Sequence, residues 1–430
     1  MHGTNLVPLL GAISGNGPVM EPSSVDRKRP GKKSAEDYMT ETIPKSLYHF
    51  QTFYDIIYVF KVTKEETFMR GFVGTSNASD IESAISEATS GLRNADLLIL
   101  LAPYEKASQA AVLLSERYPS VPMIGTCGAS IAKSSISDDQ LVVIGFAGVT
   151  VSCGLIDDVR TSPITSIKSF EDNLKSISPD SSNTICMEFV TGSEEKVMTT
   201  INSVLSRYDI SLLGGSSDNV PLGEKHIVIY NGKTYNRSCV YAFIRNNAGK
   251  IKLFSENIYE PFSSKPHMAT LVDTNTKTLF QLDDIPAYEV YSEETGCDKD
   301  SIIDNMAKNP LGRAIGDDIY ITATKSLDMN GVMFNYKALY ENDRVYIMKP
   351  GDYRAIHANT MQAIQNETNR VSFIFGLEDA NRLKLFAGDE YLSEYTDSLS
   401  ALGSFAALIT KSQQCNRQNC NQTLVCAVFE

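Results

Sequence analysis

From residue 69 onward, short apolar runs alternate with polar segments at spacings that fix their secondary structure. Met69–Val73 reads as a strand. Ile81, Ala84, Ile85, Ala88 and Leu92 recur at helical spacing, and Ser79 with Glu82 forms a capping box at the start of that helix. The strand Leu97–Leu101, an amphipathic helix near Ala107–Arg117 and the strand Pro122–Ile124 follow, and Gly125–Gly128 is expected to be a tight turn. The order then recurs. Asn183–Phe189 is a strand, Ser193–Lys196 opens a helix through Val197, Ile201, Val204 and Leu205, and the strand Ile210–Leu213 runs into Gly214-Gly215-Ser216-Ser217. In both halves a further strand comes next, Leu141–Phe146 in one and His226–Tyr230 in the other.

This pattern predicts a mixed α/β (α+β) fold class: two internally related α/β lobes whose sheets are covered by helices. After about residue 280 the texture turns mixed and turn-rich, with strands near Gly331–Tyr336, Arg344–Ile347, Arg370–Phe375 and Thr423–Phe429 and a helix near His357–Gln365. The expected organisation is a flexible tail over 1–44, one domain over 45–280 and a second mixed α/β domain over 281–430. The tail carries the basic cluster Arg27–Lys33, and the aromatic run Ser46–Val62 is compatible with a buried helix followed by a strand, an assignment that periodicity alone leaves open.

Composition narrows the function classes. Against 39 basic side chains stand 52 acidic ones, a net charge of −13 over 430 residues, so nucleic acid is not an expected partner. The longest apolar stretches, Ala95–Ala102 and Leu141–Val151, fall far short of the roughly 20 residues that span a bilayer. The expectation is a soluble, cytoplasmic protein without membrane insertion. Eight scattered cysteines do not form the dense framework of a small secreted scaffold, so reduced thiols are expected.

The ordered set Gly125-Thr126-Cys127-Gly128, Gly214-Gly215-Ser216-Ser217, Pro286-Ala287-Tyr288-Glu289-Val290-Tyr291, Asn309-Pro310-Leu311-Gly312 and Asn421-Gln422-Thr423 resembles the FIST family. In that family an N-terminal FIST domain is followed by a C-terminal one. The resemblance spans roughly residues 69–430 and implies a sensory module in signal transduction, often bacterial, that binds a small ligand such as an amino acid. Two departures stand out. The family's Gly-Glu-Ile stretch is replaced by Gly403–Ile409 without an acid, and its Cys-x-x-Arg segment by Phe375-Gly376-Leu377-Glu378.

The candidate ligand-binding residues are Gly125, Thr126, Cys127, Gly214, Gly215, Ser216, Ser217, Arg313, Asn421 and Thr423. Glycine-rich segments at strand ends bring backbone N–H groups and hydroxyls into the crevice where α/β proteins bind ligands. Arg313 offers a fork for an acidic ligand, and Asn421 and Thr423 present polar groups at the mouth of the last strand. Neither a Walker loop nor a dinucleotide fingerprint occurs in the sequence, and no cofactor is implied. Cys415, Cys420 and Cys426 do not follow a zinc spacing, so no metal site is expected. Gly-x-Cys-Gly at Cys127 departs from a nucleophile elbow, and no enzyme is expected. The leading expectation is a sensor of a small polar metabolite signalling to a partner in trans. A ligand-free interaction scaffold and a Cys127-dependent enzyme are the rivals.

Overall fold

The structure, a computed structural model, describes residues 68–430. The tail over 1–44 and the aromatic run Ser46–Val62 lie outside these residues. The described residues belong to one compact unit, built from mixed sheets and covering helices.

Its plan is a single strand order used three times. In the first lobe Arg70–Ser76 pairs with Leu141–Ala147, which pairs with Leu97–Ala102, which runs parallel to Met123–Cys127. The second lobe repeats this with Val149–Ile156, Cys239–Asn246, Thr184–Val190 and Ser211–Ser216. The third repeats it again with Ile251–Asn257, Thr423–Phe429, Phe373–Glu378 and Ser404–Ile409. In every lobe the parallel pair is joined through helix, as parallel strands require: Tyr104–Arg117, Glu194–Tyr208, and the pair Ala380–Gly388 and Leu392–Leu402. The repeat read from the sequence thus has a third copy.

Each of these sheets is completed by a hairpin that belongs, along the chain, to another lobe. After Met123–Cys127 the chain leaves its own sheet, and Ala129–Ala132 pairs with Ser404–Ile409 of the third lobe. Val228–Tyr230, which follows the second lobe's parallel pair, adds to Met123–Cys127 of the first. Gln413–Cys415, from the third lobe, adds to Ser211–Ser216 of the second.

The three sheets share one core. Ile99, Ile144 and Phe146 meet Met187, Phe189 and Ile244 and also Phe373, Phe375 and Phe429, all buried. Phe146 and Phe373 pack edge to face with ring centroids 5.2 Å apart. Separate apolar layers join each sheet to its own helices. Continuous runs such as Leu97–Ala102, buried at every position, suit a strand covered on both faces.

Between the third lobe's first strand and its first helix, Tyr353–Glu367, the chain inserts residues 259–350. These form a nine-stranded sheet with their own core around Leu279, Tyr291, Leu311 and Val345.

Two local expectations are corrected. The helix Ile81–Ala88 is capped by Asp80, whose Oδ2 accepts the Ser83 N–H at 2.8 Å, rather than by Ser79. The glycine-rich segments are not tight turns: Gly125, Thr126 and Cys127 end the strand Met123–Cys127, and Gly214, Gly215 and Ser216 end Ser211–Ser216. Glycine is present for closeness. A Cβ on Gly125 would sit 2.2 Å from the Leu100 carbonyl oxygen, and one on Gly214 would sit 2.5 Å from Glu188 Oε1.

Candidate functional site

The second lobe's parallel strands, Thr184–Val190 and Ser211–Ser216, end at a cavity of about 520 Å³. Ligands collect at the carboxyl ends of such strands because backbone and helix starts converge there without a covering sheet. One wall is Thr191–Glu194, leading into the helix Glu194–Tyr208; the next is Ser216, Ser217 and Asp218; a third is Thr410–Ser412 from the third lobe. The insertion covers it with Asn275–Lys277, Lys325, Asn335 and Tyr336, and His226 stands at the margin.

Lys277 fastens the insertion to the second lobe. Its Nζ lies 2.9 Å from Glu194 Oε2 and 3.0 Å from Glu195 Oε2, and it donates to the Tyr336 carbonyl at 2.9 Å. Burial pushes the Glu194 carboxyl up, but Lys277, with the hydrogen bonds from Ser216 and the Glu194 backbone N–H, outweighs it and holds the group below its usual range. The other oxygen of Glu194 accepts the Ser216 hydroxyl at 3.0 Å.

Asp218 is placed differently. Burial pushes its carboxyl up, and the Asn219 N–H and Lys411 only partly oppose this. Among the described residues it forms no ion pair within 4 Å. Asn335 is fully buried, its Oδ1 accepts the Thr324 hydroxyl at 2.8 Å, and its Nδ2 has no partner among the described residues. A buried amide donor left open costs free energy until an acceptor arrives. The cavity therefore presents an acid lacking a cation, an amide lacking an acceptor, and the Lys325 and Lys411 ammonium groups.

The residues expected from the sequence divide among three places. Ser216 and Ser217 line the cavity. Cys127 sits behind them, its Sγ 3.1 Å from Ser217 Oγ, and burial pushes the thiol up. Thr126 is buried, and its hydroxyl donates to the Ile227 carbonyl at 3.0 Å. The backbone N–H groups proposed as anion donors are already occupied: Ser216 N bonds Ser412 O, and Ser217 N bonds Val190 O. Gly125, Gly214 and Gly215 are buried inside the sheets.

Asn421 and Thr423 are also buried and work from behind. Asn421 Nδ2 donates to the Lys411 carbonyl at 2.6 Å while its Oδ1 accepts the Ala323 N–H at 3.0 Å, so one side chain ties the Lys411 loop to the insertion. Thr423 donates to the Asn421 carbonyl at 2.9 Å. Arg313 lies in a separate cavity, paired with both oxygens of Asp343.

Sequence reasoning missed Asp218, Lys411, Asn335 and Lys277. Asp218 was within reach, directly after Ser216-Ser217, and Lys411 occupies the matching position after the third lobe's parallel pair.

A family profile described as the FIST N domain matches residues 96–285. Those residues are a FIST N domain. They hold the second lobe whole and the first without its opening strand Arg70–Ser76 and the helix Ile81–Ala88, and they end inside the insertion, so the second lobe's wall of the cavity is FIST sequence. A FIST domain implies a small-ligand role in sensing and signal transduction. No curated protein matches the chain. Among solved structures it is similar to phosphoribosylformylglycinamidine synthase II from Thermotoga maritima, at 10% identity over 85% of this chain and 72% of that one, with a TM-score of 0.18. PurL of T. maritima complexed with ATP gives 10% identity, 84% and 71% coverage and a TM-score of 0.18. At such scores neither likeness adds to the FIST assignment. Among the described residues no helix is long and apolar enough to cross a membrane.

Proposed function

We propose that the cavity at the second lobe's strand ends binds a small zwitterionic metabolite of amino-acid type, and that its occupancy is passed to a separate protein partner. The observation that carries this reading is the pairing of open groups in one cavity. Asp218 would take the ligand's ammonium group, while Asn335 Nδ2 and Lys411 or Lys325 would take its carboxylate, each a charge-assisted contact. Ser217 would add a hydroxyl.

The ligand would lie between the second lobe and the insertion, so it would bind the closed arrangement more tightly than an opened one. Differential affinity of that kind shifts the population between the two, whereas equal affinity shifts nothing. The role is binding rather than turnover: the Cys127 thiol, pushed up by burial, is a poor source of thiolate.

The test is a thermal-shift screen of the full chain against amino acids and against carboxylates lacking an amine. An amino acid at about 100 times its Kd adds about 2.7 kcal/mol of stability, a rise of a few degrees. Asp218→Asn should abolish the response to amino acids, and Lys411→Met should weaken it. A flat screen with folded protein, or a hit indifferent to both substitutions, would sink the reading.

A further inference from the structure

A second cavity, of about 450 Å³, lies along the helix Glu194–Tyr208, between that helix, the hairpin Gln413–Cys420 and the insertion. Its charges do not balance. Arg313, Lys337 and Arg417 line it against a single acid, Glu195. Glu195 is already engaged: Oε2 lies 3.0 Å from Lys277 Nζ, and Oε1 accepts Asn419 Nδ2 at 3.2 Å and the Ala338 N–H at 3.3 Å. Asp343 serves Arg313, with Nε–Oδ2 at 2.7 Å and Nη2–Oδ1 at 2.9 Å.

Lys337 is left over. The residue is 3% exposed, and its Nζ has no hydrogen-bond partner among the described residues. Its charged end faces the Tyr320 ring at 5.7 Å, which offers a weak cation–π contact in place of a counter-ion. A buried ammonium without an anion is costly, and its field is little screened in the space beside it. Burial above all, with Arg313 beside it, pushes the Lys337 pKa down to about 8, while Cys420, Glu195 and Asp343 oppose the shift. Arg417, exposed at the rim, donates to Ser206 Oγ at 2.9 Å and remains available for a second contact.

We propose that this cavity is a second ligand site, distinct from the amino-acid cavity, and that it takes a compact dianion, a phosphate or a small dicarboxylate, paired with Lys337 and Arg417. The anion supplies the counter-charge that Lys337 lacks in the fold. Because Glu195 and Lys277 stand between the two cavities, a dianion here sits one ion pair away from the latch that closes the other.

The test is calorimetric titration of the full chain with inorganic phosphate and, separately, with succinate. Binding of either supports the site, and the stronger one identifies the anion class. Lys337→Met, which removes an uncompensated buried charge for an apolar chain of similar volume, should leave the melting temperature unchanged or higher. It should weaken binding at least about tenfold, the loss expected for one charge-assisted contact. Arg417→Gln, at an exposed position, should fold normally and weaken binding in the same direction. Absence of binding by both anions, or affinity unmoved by Arg417→Gln, would overturn the proposal, whether or not Lys337→Met folds.

Discussion

His267 bridges two carboxylates at once, with Nδ1 2.7 Å from Asp283 Oδ2 and Nε2 2.9 Å from Glu294 Oε1. Only the imidazolium can donate from both nitrogens. Burial pushes its pKa down, but the bonds to Asp283 and Glu294 outweigh that and raise it above the ordinary 6.5. A group whose folded value is raised stabilises fully below its unfolded value and loses that contribution as pH climbs through the folded one. The gap in melting temperature between the native chain and His267→Gln should therefore be widest below pH 6.5 and shrink as the pH rises. A gap constant with pH would show that the imidazolium is not what ties His267 to Asp283 and Glu294. Residues like this one, whose role comes from a partner 16 or 27 positions away, leave no local mark. Ser216 and Ser217 were legible because strand-end hydroxyls follow from pattern alone. Asn335 was not, since an amide becomes a ligand candidate only when the fold buries it with a donor open.

At the scale of elements, the parallel strands and their helices were readable because each obeys one period. Leu97–Ala102 is continuously apolar, and Val197, Ile201, Val204 and Leu205 keep helical spacing. The glycines misled. Gly125 and Gly214 punctuate the sequence as turns do, yet neither has positive φ, and both serve close approach within a sheet. This gives a direct check. Gly125→Ala would force a Cβ against the Leu100 backbone, which cannot swing aside as a side chain can, so the expected loss is about 1–3 kcal/mol in urea unfolding. Gly192→Ala, whose Cβ would meet nothing within 4 Å but whose φ is +129°, tests conformation without contact and should also destabilise. The third lobe escaped the sequence reading for a different reason. Residues 259–350 separate its first strand from its first helix, so the matching interval is lost although each piece keeps its own pattern.

For the whole molecule, the shared core and the exchanged hairpins argue that the lobes do not open separately. Phe146, Phe189 and Phe429 come from three sheets but belong to one apolar cluster. Hydrogen exchange under increasing denaturant should show the central strands Leu97–Ala102, Thr184–Val190 and Phe373–Glu378 converging on one opening free energy. Protection that fell away lobe by lobe would contradict this. The hairpin exchange itself was beyond sequence reasoning, since Val228–Tyr230 and Met123–Cys127 carry no signal of their pairing across about a hundred residues.

The circular exchange also sets an order of arrival during synthesis. The first lobe's sheet lacks its neighbour until residues 228–235 exist, the second waits for 413–420, and the third receives a hairpin made before any of its own strands. Contacts of such long range slow the search for the native state. A ribosome that has released two complete sets of strands has still not finished one sheet of the second set, so a nascent chain must keep that edge from straying until its last hairpin emerges.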